Sequence, residues 1–315
     1  MSPPIRRNDK SQLSAIGFIT KLQDKKSLEL TLRLIGELRS NRAVEKIYLE
    51  EAALAQIKKK RGILKASISK MMKSLKLIVV VGGDGTILRS TRYLLHGNSW
   101  KNCHILGVNT GTLGFLSCVS PLGAKTELLK ILTDSRSWHT EERTCLSVSI
   151  YRRRKLFKSF HVMNDCVLSK GSLSRIFEFH IDLNAHPLSS YRADGVIISP
   201  PTGSTAYNLA AGGAIIQPGI PAIQITPICP QYFSNQPILV ADDNVISLKL
   251  GKHSTDVFIT LDGQTGLRMK DGDEIRITRS AKKVKFLVPS RIAKTHYFDS
   301  LRQKLNWGLV SAKST

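Results

Sequence analysis

At 315 residues, 42% of them hydrophobic, the chain is longer than one ordinary core requires and too apolar for disorder, which predicts two globular domains. Lys and Arg number 47 against 24 Asp and Glu, a net charge of +23. No RNA-recognition aromatic motif or zinc-finger spacing accompanies that excess, so nucleic acid is not expected as a partner and the charge reads as a solvated basic face that steers polyanions.

No apolar run approaches the roughly 20 residues of a bilayer span. The polar, basic stretch Met1–Lys10 has no hydrophobic segment behind it. No membrane association and no secretion are therefore expected, and a cytoplasmic location is. Five cysteines without CxxC spacing and eight histidines without HxxH or HExxH predict neither a disulfide nor a zinc site.

In chain order, Ala15 to Thr20 reads as an opening strand, and Leu28, Leu32, Ile35 and Leu38 share one face of a following helix. Lys46 to Leu49 makes a second strand and Glu50 to Ile57 a second helix. The basic run Lys58-Lys59-Lys60-Arg61 through Lys76 is left as solvated surface. Leu77-Ile78-Val79-Val80-Val81 suits a strand buried on both faces of a parallel sheet, and a helical pattern resumes after Thr86. Ile105 to Asn109 is the next strand, followed by the glycine loop Thr110 to Phe115 and a helix over about Lys125 to Leu132. This alternation predicts an α/β domain over residues 1–140 with a parallel, doubly wound sheet.

From about Glu141 the period changes to two. Phe177, Phe179 and Ile181 face one side while Glu178, His180 and Asp182 face the other, and Asp256 to Leu261 and Glu274 to Thr278 alternate likewise. Turn signals stand at Lys170-Gly171, Asp194-Gly195, Asp262-Gly263 and Asp271-Gly272. A mostly antiparallel β domain over 141–290 is expected. Tyr297, Phe298, Leu301 and Leu305 then mark a last amphipathic helix, so residues 291–315 form a C-terminal helix and tail packing back.

Three clusters carry chemistry. Gly82-Gly83-Asp84-Gly85-Thr86 lies between a strand's carboxyl end and a helix's N-terminus, where free amides and the helix dipole favour phosphate. Gly82 and Gly83 are the phosphate-cradling candidates, with Arg89, one turn into the helix, as a further one. Asp84 puts an anion where an anion should bind. An unpaired carboxylate there holds a metal or takes a proton from an attacking hydroxyl, which points to phosphoryl transfer. Asn164-Asp165 can grip a vicinal diol, since a carboxylate accepts both hydroxyl hydrogens. The third cluster runs from Arg192-Ala193-Asp194-Gly195 through Ser199-Pro200-Pro201-Thr202-Gly203-Ser204-Thr205-Ala206-Tyr207-Asn208-Leu209-Ala210 to Gly212-Gly213. Its small and hydroxylated residues leave room for a planar base, against which Tyr207 could lie.

GGDGT, the Asn-Asp pair, the Ala-Asp-Gly to Gly-Gly stretch, Ile225-Thr226-Pro227-Ile228-Cys229-Pro230, Asp262-Gly263-Gln264 and the ending Leu301-Arg302-Gln303-Lys304-Leu305-Asn306-Trp307-Gly308 resemble NAD kinases, in this order. The resemblance covers nearly all of the chain after residue 75. It implies a phosphotransferase that moves the γ-phosphoryl of ATP, or of another donor, to the 2′-hydroxyl of the adenosine ribose of NAD, making NADP. It also implies that the β domain binds the dinucleotide. Asp84 would be the proton acceptor and Gly85 a dinucleotide contact. Asn164 and Asp165 would hold ribose hydroxyls, with Arg192 and Asp194 in the same site. Thr205, Ala206, Tyr207, Asn208, Leu209 and Ala210 would enclose a base, with Gln264 nearby and Arg175 as a basic contact. A divalent metal, Mg²⁺, would accompany the donor without assigned protein ligands, and a homodimer or homotetramer is implied. The chain departs from the family pattern at Pro200, where Thr is usual, and at Gln231 and Gln236, where His and Arg are common.

Site assembly between the two domains is expected, because the motifs come from both. Two competing readings start from the same residues. A lipid kinase of the diacylglycerol or sphingosine type uses a related GGDG loop, but the middle motif suits a nucleotide. A polyanion-binding protein on a nucleotide scaffold would use the basic charge alone.

Overall fold

The computed structural model describes residues 14–58, 62–97, 99–111, 114–171, 175–232, 236–251 and 256–306. Met1–Lys10, Lys59–Arg61, Thr112, Leu113 and Trp307-Gly308 lie outside them. The chain divides into two compact units, residues 1–142 with 284–315 and residues 143–283.

In the first unit, strands β1 (Ala15–Thr20), β2 (Lys46–Glu50), β3 (Leu64–Ala66), β4 (Leu77–Val81) and β5 (His104–Val108) form a parallel sheet in the order β5-β4-β1-β2-β3. All five residues of β4 are buried, as an apolar run covered on both faces requires. Helices α1 (Lys25–Ser40), α2 (Glu51–Leu54), α3 (Ile68–Ser74), α4 (Asp84–His96) and α5 (Ala124–Thr133) accompany the strands. Asp24 caps α1, its carboxylate accepting the Ser27 amide at 3.1 Å, and the Ser27 contact holds the Asp24 acid below the usual range. Leu30, Leu34, Ile35 and Leu38 of α1 pack with Phe18, Leu49, Val79 and Leu106 in one core.

The expected second helix is one turn long rather than reaching Ile57, and α4 starts at Asp84 itself. Inside the basic run, β3 and α3 contradict the reading of plain surface: Ala66, Ile68, Met71, Met72 and Leu75 are buried while Lys65, Lys70, Lys73 and Lys76 are exposed. The lysines hid an amphipathic segment whose apolar residues are few.

The second unit is antiparallel β. Strands β6 (Trp138–Arg152) and β7 (Lys155–Val162) make a hairpin. Strands β9 (Phe177–Leu183), β10 (His186–Ala193), β14 (Ile246–Leu250) and the first part of β17 (Glu274–Pro289) follow the order β10-β9-β14-β17. A separate sheet joins β8 (Cys166–Lys170), β11 (Gly195–Ser199), β12 (Ala222–Ile228), β13 (Ile238–Ala241), β15 (Val257–Leu261) and β16 (Thr265–Arg268) in the order β13-β12-β11-β8-β15-β16. Phe177, Phe179 and Ile181 are buried in this unit's core, matching the period-two reading. The end of β17 lies parallel to β5 in the first unit.

The chain closes with α7 (His296–Leu305), α6 being the short Tyr207–Ala210 helix. Tyr297 and Leu301 of α7 are buried as expected, but Phe298 and Leu305 are exposed and Ser300 is buried in their stead. No helix among the described residues is long and apolar enough to cross a membrane.

Candidate active site

The first unit fixes Asp84. After β4, Gly82 turns the chain with φ +155°, where a Cβ would sit 2.7 Å from Thr86 Oγ1, and its amide donates to Val108 O at 2.9 Å. Only glycine fits there. Gly83 caps α4, and its carbonyl accepts the Thr86 amide. A Cβ on Gly83 or Gly85 would meet nothing within 4 Å. The protein's own packing therefore leaves open space at both positions, on either side of Asp84.

Asp84 is not the unpaired carboxylate expected from the sequence. Its Oδ2 accepts the Phe115 amide at 2.9 Å and its Oδ1 accepts the Leu116 amide at 3.2 Å, while Lys304 Nζ donates to Oδ2 at 3.1 Å. The loop after β5 is thus wrapped around the carboxylate. Gly114 is obligatory there, since its Cβ would fall 2.0 Å from Asp84 Oδ1. A carboxylate offers about four lone-pair positions, so three donors leave one for a further hydroxyl. The side chain keeps 24% of its surface exposed.

Arg89 turns away from a phosphate role. Its guanidinium makes a two-pronged pair with Glu50, at 2.6 and 2.9 Å, and also donates to Thr20 O. This edge of the fork is used inside the first unit.

The second unit draws three motifs together. The Asp262 carboxylate accepts the amides of Met163, Asn164 and Asp165 at 2.7–3.1 Å, and the Asp262 amide donates to Asp165 O at 3.0 Å. The turn Asp262-Gly263 and the pair Asn164-Asp165 therefore hold each other. From the third motif, Ser199 Oγ donates to Asn164 O at 2.9 Å, and Gly203 lies so near that a Cβ would meet this oxygen at 1.7 Å. Pro200, the departure from the usual Thr, precedes a 3-10 turn over Pro201–Thr205 and its carbonyl accepts the Gly203 amide. Its fixed φ suits that place.

Asp165 is 5% exposed, and burial together with the neighbouring Asp262 charge pushes its carboxyl up to about 7. Asn164 is half-buried, and Gln264 and Tyr207 are exposed. Asn208 differs from the expectation of a base contact. It is fully buried, its carbonyl accepts Thr226 Oγ1 at 2.6 Å and its amide donates to Ser204 O, so it braces the turn. Thr205, Ala206 and Leu209 are half-buried and Ala210 is exposed.

Arg192 and Asp194 do not join this cluster within the unit. In the β8–β11 ladder Ile198 pairs Cys166 while Gly195 pairs Ser169, so Asn164-Asp165 and Asp194 flank opposite ends of β8. Four strand residues span roughly 13 Å. Asp194 pairs with Lys170 at 3.2 Å, Arg192 is exposed, and its carbonyl accepts the Gln231 amide at 2.8 Å. Arg175 is exposed. Among the described residues no group of three His, Cys, Asp or Glu side chains could hold a metal ion.

Asp262 and Lys304 both stand in motifs quoted from the sequence, but neither side chain has a role assigned there. An Asp-Gly turn signal could have found the first; nothing local marks the second.

Two family profiles cover most of the chain. Residues 16–136 match the ATP-NAD kinase N-terminal domain and residues 163–288 the ATP-NAD kinase C-terminal domain. An NAD kinase of Magnetococcus marinus is 38% identical over 94% of either chain, and one of Geotalea daltonii is 42% identical over 74% of this chain and 78% of its own. This chain belongs to the NAD kinase family. It is by that membership a phosphotransferase. The structure of a yeast NADH kinase complexed with NADH superposes with a TM-score of 0.87 at 25% identity, covering 96% of this chain and 91% of that one. The glycine-Asp loop and the Asn-Asp turn of this chain fall one in each matched span. Helix α7, which supplies Lys304, lies beyond both spans.

Proposed function

We propose that this chain uses Asp84 to accept the proton of the adenosine ribose 2′-hydroxyl of NAD as that oxygen attacks the γ-phosphorus of ATP, whose bond to the bridging oxygen breaks and releases ADP. The observation that carries this reading is the fixing of both Asp84 oxygens by consecutive amides, with open space at Gly83 and Gly85. A base locked in one orientation and accessible from one side suits a reaction in which positioning does most of the work. Asn164 and Asp165 hold the ribose hydroxyls, Asp165 in its ionised form. Thr205, Ala206, Tyr207, Leu209 and Ala210 line the base, with Gln264 beside it, and Asn208 supports that turn from behind. The Gly83 amide at the α4 N-terminus receives donor phosphates, whereas the Gly82 amide is taken by Val108 O. A divalent ion such as Mg²⁺ would be held by the triphosphate itself, with no protein ligand assigned, and would supply neutralisation of its charge.

One strand length separates Arg192 and Asp194 from the Asn-Asp turn. We therefore propose a homo-oligomer in which a second copy presents these two residues, with Arg175, to the dinucleotide. Mixing Asp165→Asn and Asp194→Asn chains before assembly should restore NAD affinity that both variants lose when alone; no restoration would contradict the shared site. A cytoplasmic location fits a chain that acts on soluble nucleotides.

Purified protein given ATP with either NAD or diacylglycerol, followed by product mass, tests the activity. Phosphorylated NAD alone is expected. Phosphorylated lipid, or no product with NAD, would overturn it.

A further inference from the structure

The C-terminal helix touches the reacting carboxylate. Tyr297, Ser300, Leu301 and Lys304 recur at the spacing that places residues on one face of α7. Three of them converge on the loop around Asp84. Ser300 Oγ donates to Gly114 O at 3.1 Å, the Tyr297 ring lies 6.2 Å from the Phe115 ring centroid to centroid, and Lys304 Nζ stands 4.9 Å over the Phe115 ring while donating to Asp84 Oδ2 at 3.1 Å. Phe115 is also the residue whose amide donates to that same Oδ2. The other side of Gly114 is held too, its amide donating to Ser117 Oγ at 3.2 Å.

Lys304 thus has two attachments, a carboxylate and an aromatic face, each favourable for an ammonium. The cation sits in the last turn of α7, where the helix dipole favours it. With 29% of its side-chain surface exposed, it adds little to stability. Its place is better explained by what it does to Asp84. Resting on Asp84 being the proton acceptor, we infer that Lys304 is a positioning residue for the reaction: it pins the Asp84 carboxylate and the Phe115 loop in the orientation that receives the sugar hydroxyl. Helix α7 is then part of the catalytic apparatus although it lies outside both matched family spans.

Three variants, Lys304→Met, Lys304→Arg and Asp84→Asn, assayed for NADP formation with ATP, test this. Lys304→Met keeps the apolar stem and removes the charge. Its kcat should fall about 10- to 100-fold, the cost of misplacing a reacting group. KM for NAD and for ATP should stay within about threefold, and Tm within about 3 °C of the parent. Lys304→Arg, which can reach both the carboxylate and the ring, should recover most of kcat. Unchanged kcat in Lys304→Met would overturn the inference. So would equal losses in the Met and Arg variants, or a loss carried by KM alone. If Asp84→Asn is inactive and Lys304→Met is not impaired, only the role of Lys304 fails. If Asp84→Asn turns over at the parent rate, the base assignment itself fails.

Discussion

Asp84 and Asp165 are both carboxylates in turns next to a strand, one just after β4 and the other just before β8, yet the two units treat them oppositely. In the first unit Asp84 keeps a quarter of its surface exposed and is surrounded by donors: two amides and an ammonium. In the second unit Asp165 is buried and feels the like charge of Asp262, whose own oxygens accept the amides of Met163, Asn164 and Asp165. The difference teaches how similar residues come to different work. A carboxylate held by donors is fixed in direction, which suits the proton-accepting role proposed for Asp84. A carboxylate buried beside another anion resists ionising until a polar ligand offers it hydroxyl hydrogens.

The comparison can be broken first at Gly114. A methyl group there would fall 2.0 Å from Asp84 Oδ1, so Gly114→Ala must displace the carboxylate or the loop. Turnover should drop about 100-fold while NAD binding, read by calorimetry, is largely kept; unchanged turnover would show that the close fit around Asp84 is irrelevant.

In the second unit, Asp262→Ala deprives three amides of their acceptor. Losing charge-assisted bonds of this kind should lower stability by about 2–4 kcal/mol in denaturant unfolding, and KM for NAD should rise as the Asn164-Asp165 turn loosens. Undiminished stability would remove Asp262 from its bracing role.

The pH dependence sharpens the contrast with a smaller effect. The Asp165 carboxyl holds its proton up to about 7 in the folded chain, whereas in an unfolded chain it releases it near pH 3.9, roughly the ordinary value. The native state thus binds more protons between these values, so Asp165 makes stability fall as pH rises through this window and leaves it level above about 7. NAD affinity should move the other way, improving as pH rises to about 7 and Asp165 ionises. Asp165→Asn should abolish both trends; a KM for NAD that is flat from about pH 6 to about pH 8, roughly one unit either side of neutrality, would contradict the role given to the ionised form.

Much of the fold was legible because period and punctuation agree. The run Leu77–Val81 suits a covered strand, and Phe177, Phe179 and Ile181 alternate without interruption. The segment Leu64–Ser74 was not legible, because its lysines mask a short apolar stripe that only packing reveals. The site divides in the same way. Asp84, Asn164 and Asp165 stand in local motifs whose chemistry follows from residue type. Asn208 lies in the same small-residue run as Tyr207, and the sequence does not say that one turns inward to Thr226 while the other faces out. Arg89 sits one turn from the glycine loop, but its partner Glu50 is 39 residues away in the chain. Lys304 reaches Asp84 across 220 residues. Pairings at that separation are set by the tertiary fold, and no spacing rule contains them.

The most direct test is single-turnover transfer from ATP to NAD with Asp84→Asn and Asp165→Asn side by side, NAD binding being measured in parallel. Asp84→Asn should bind NAD near the parent affinity and slow transfer about 10²- to 10⁴-fold, the usual worth of a proton-accepting group, while Asp165→Asn should lose its effect chiefly in binding. Transfer at the parent rate in Asp84→Asn would contradict the account.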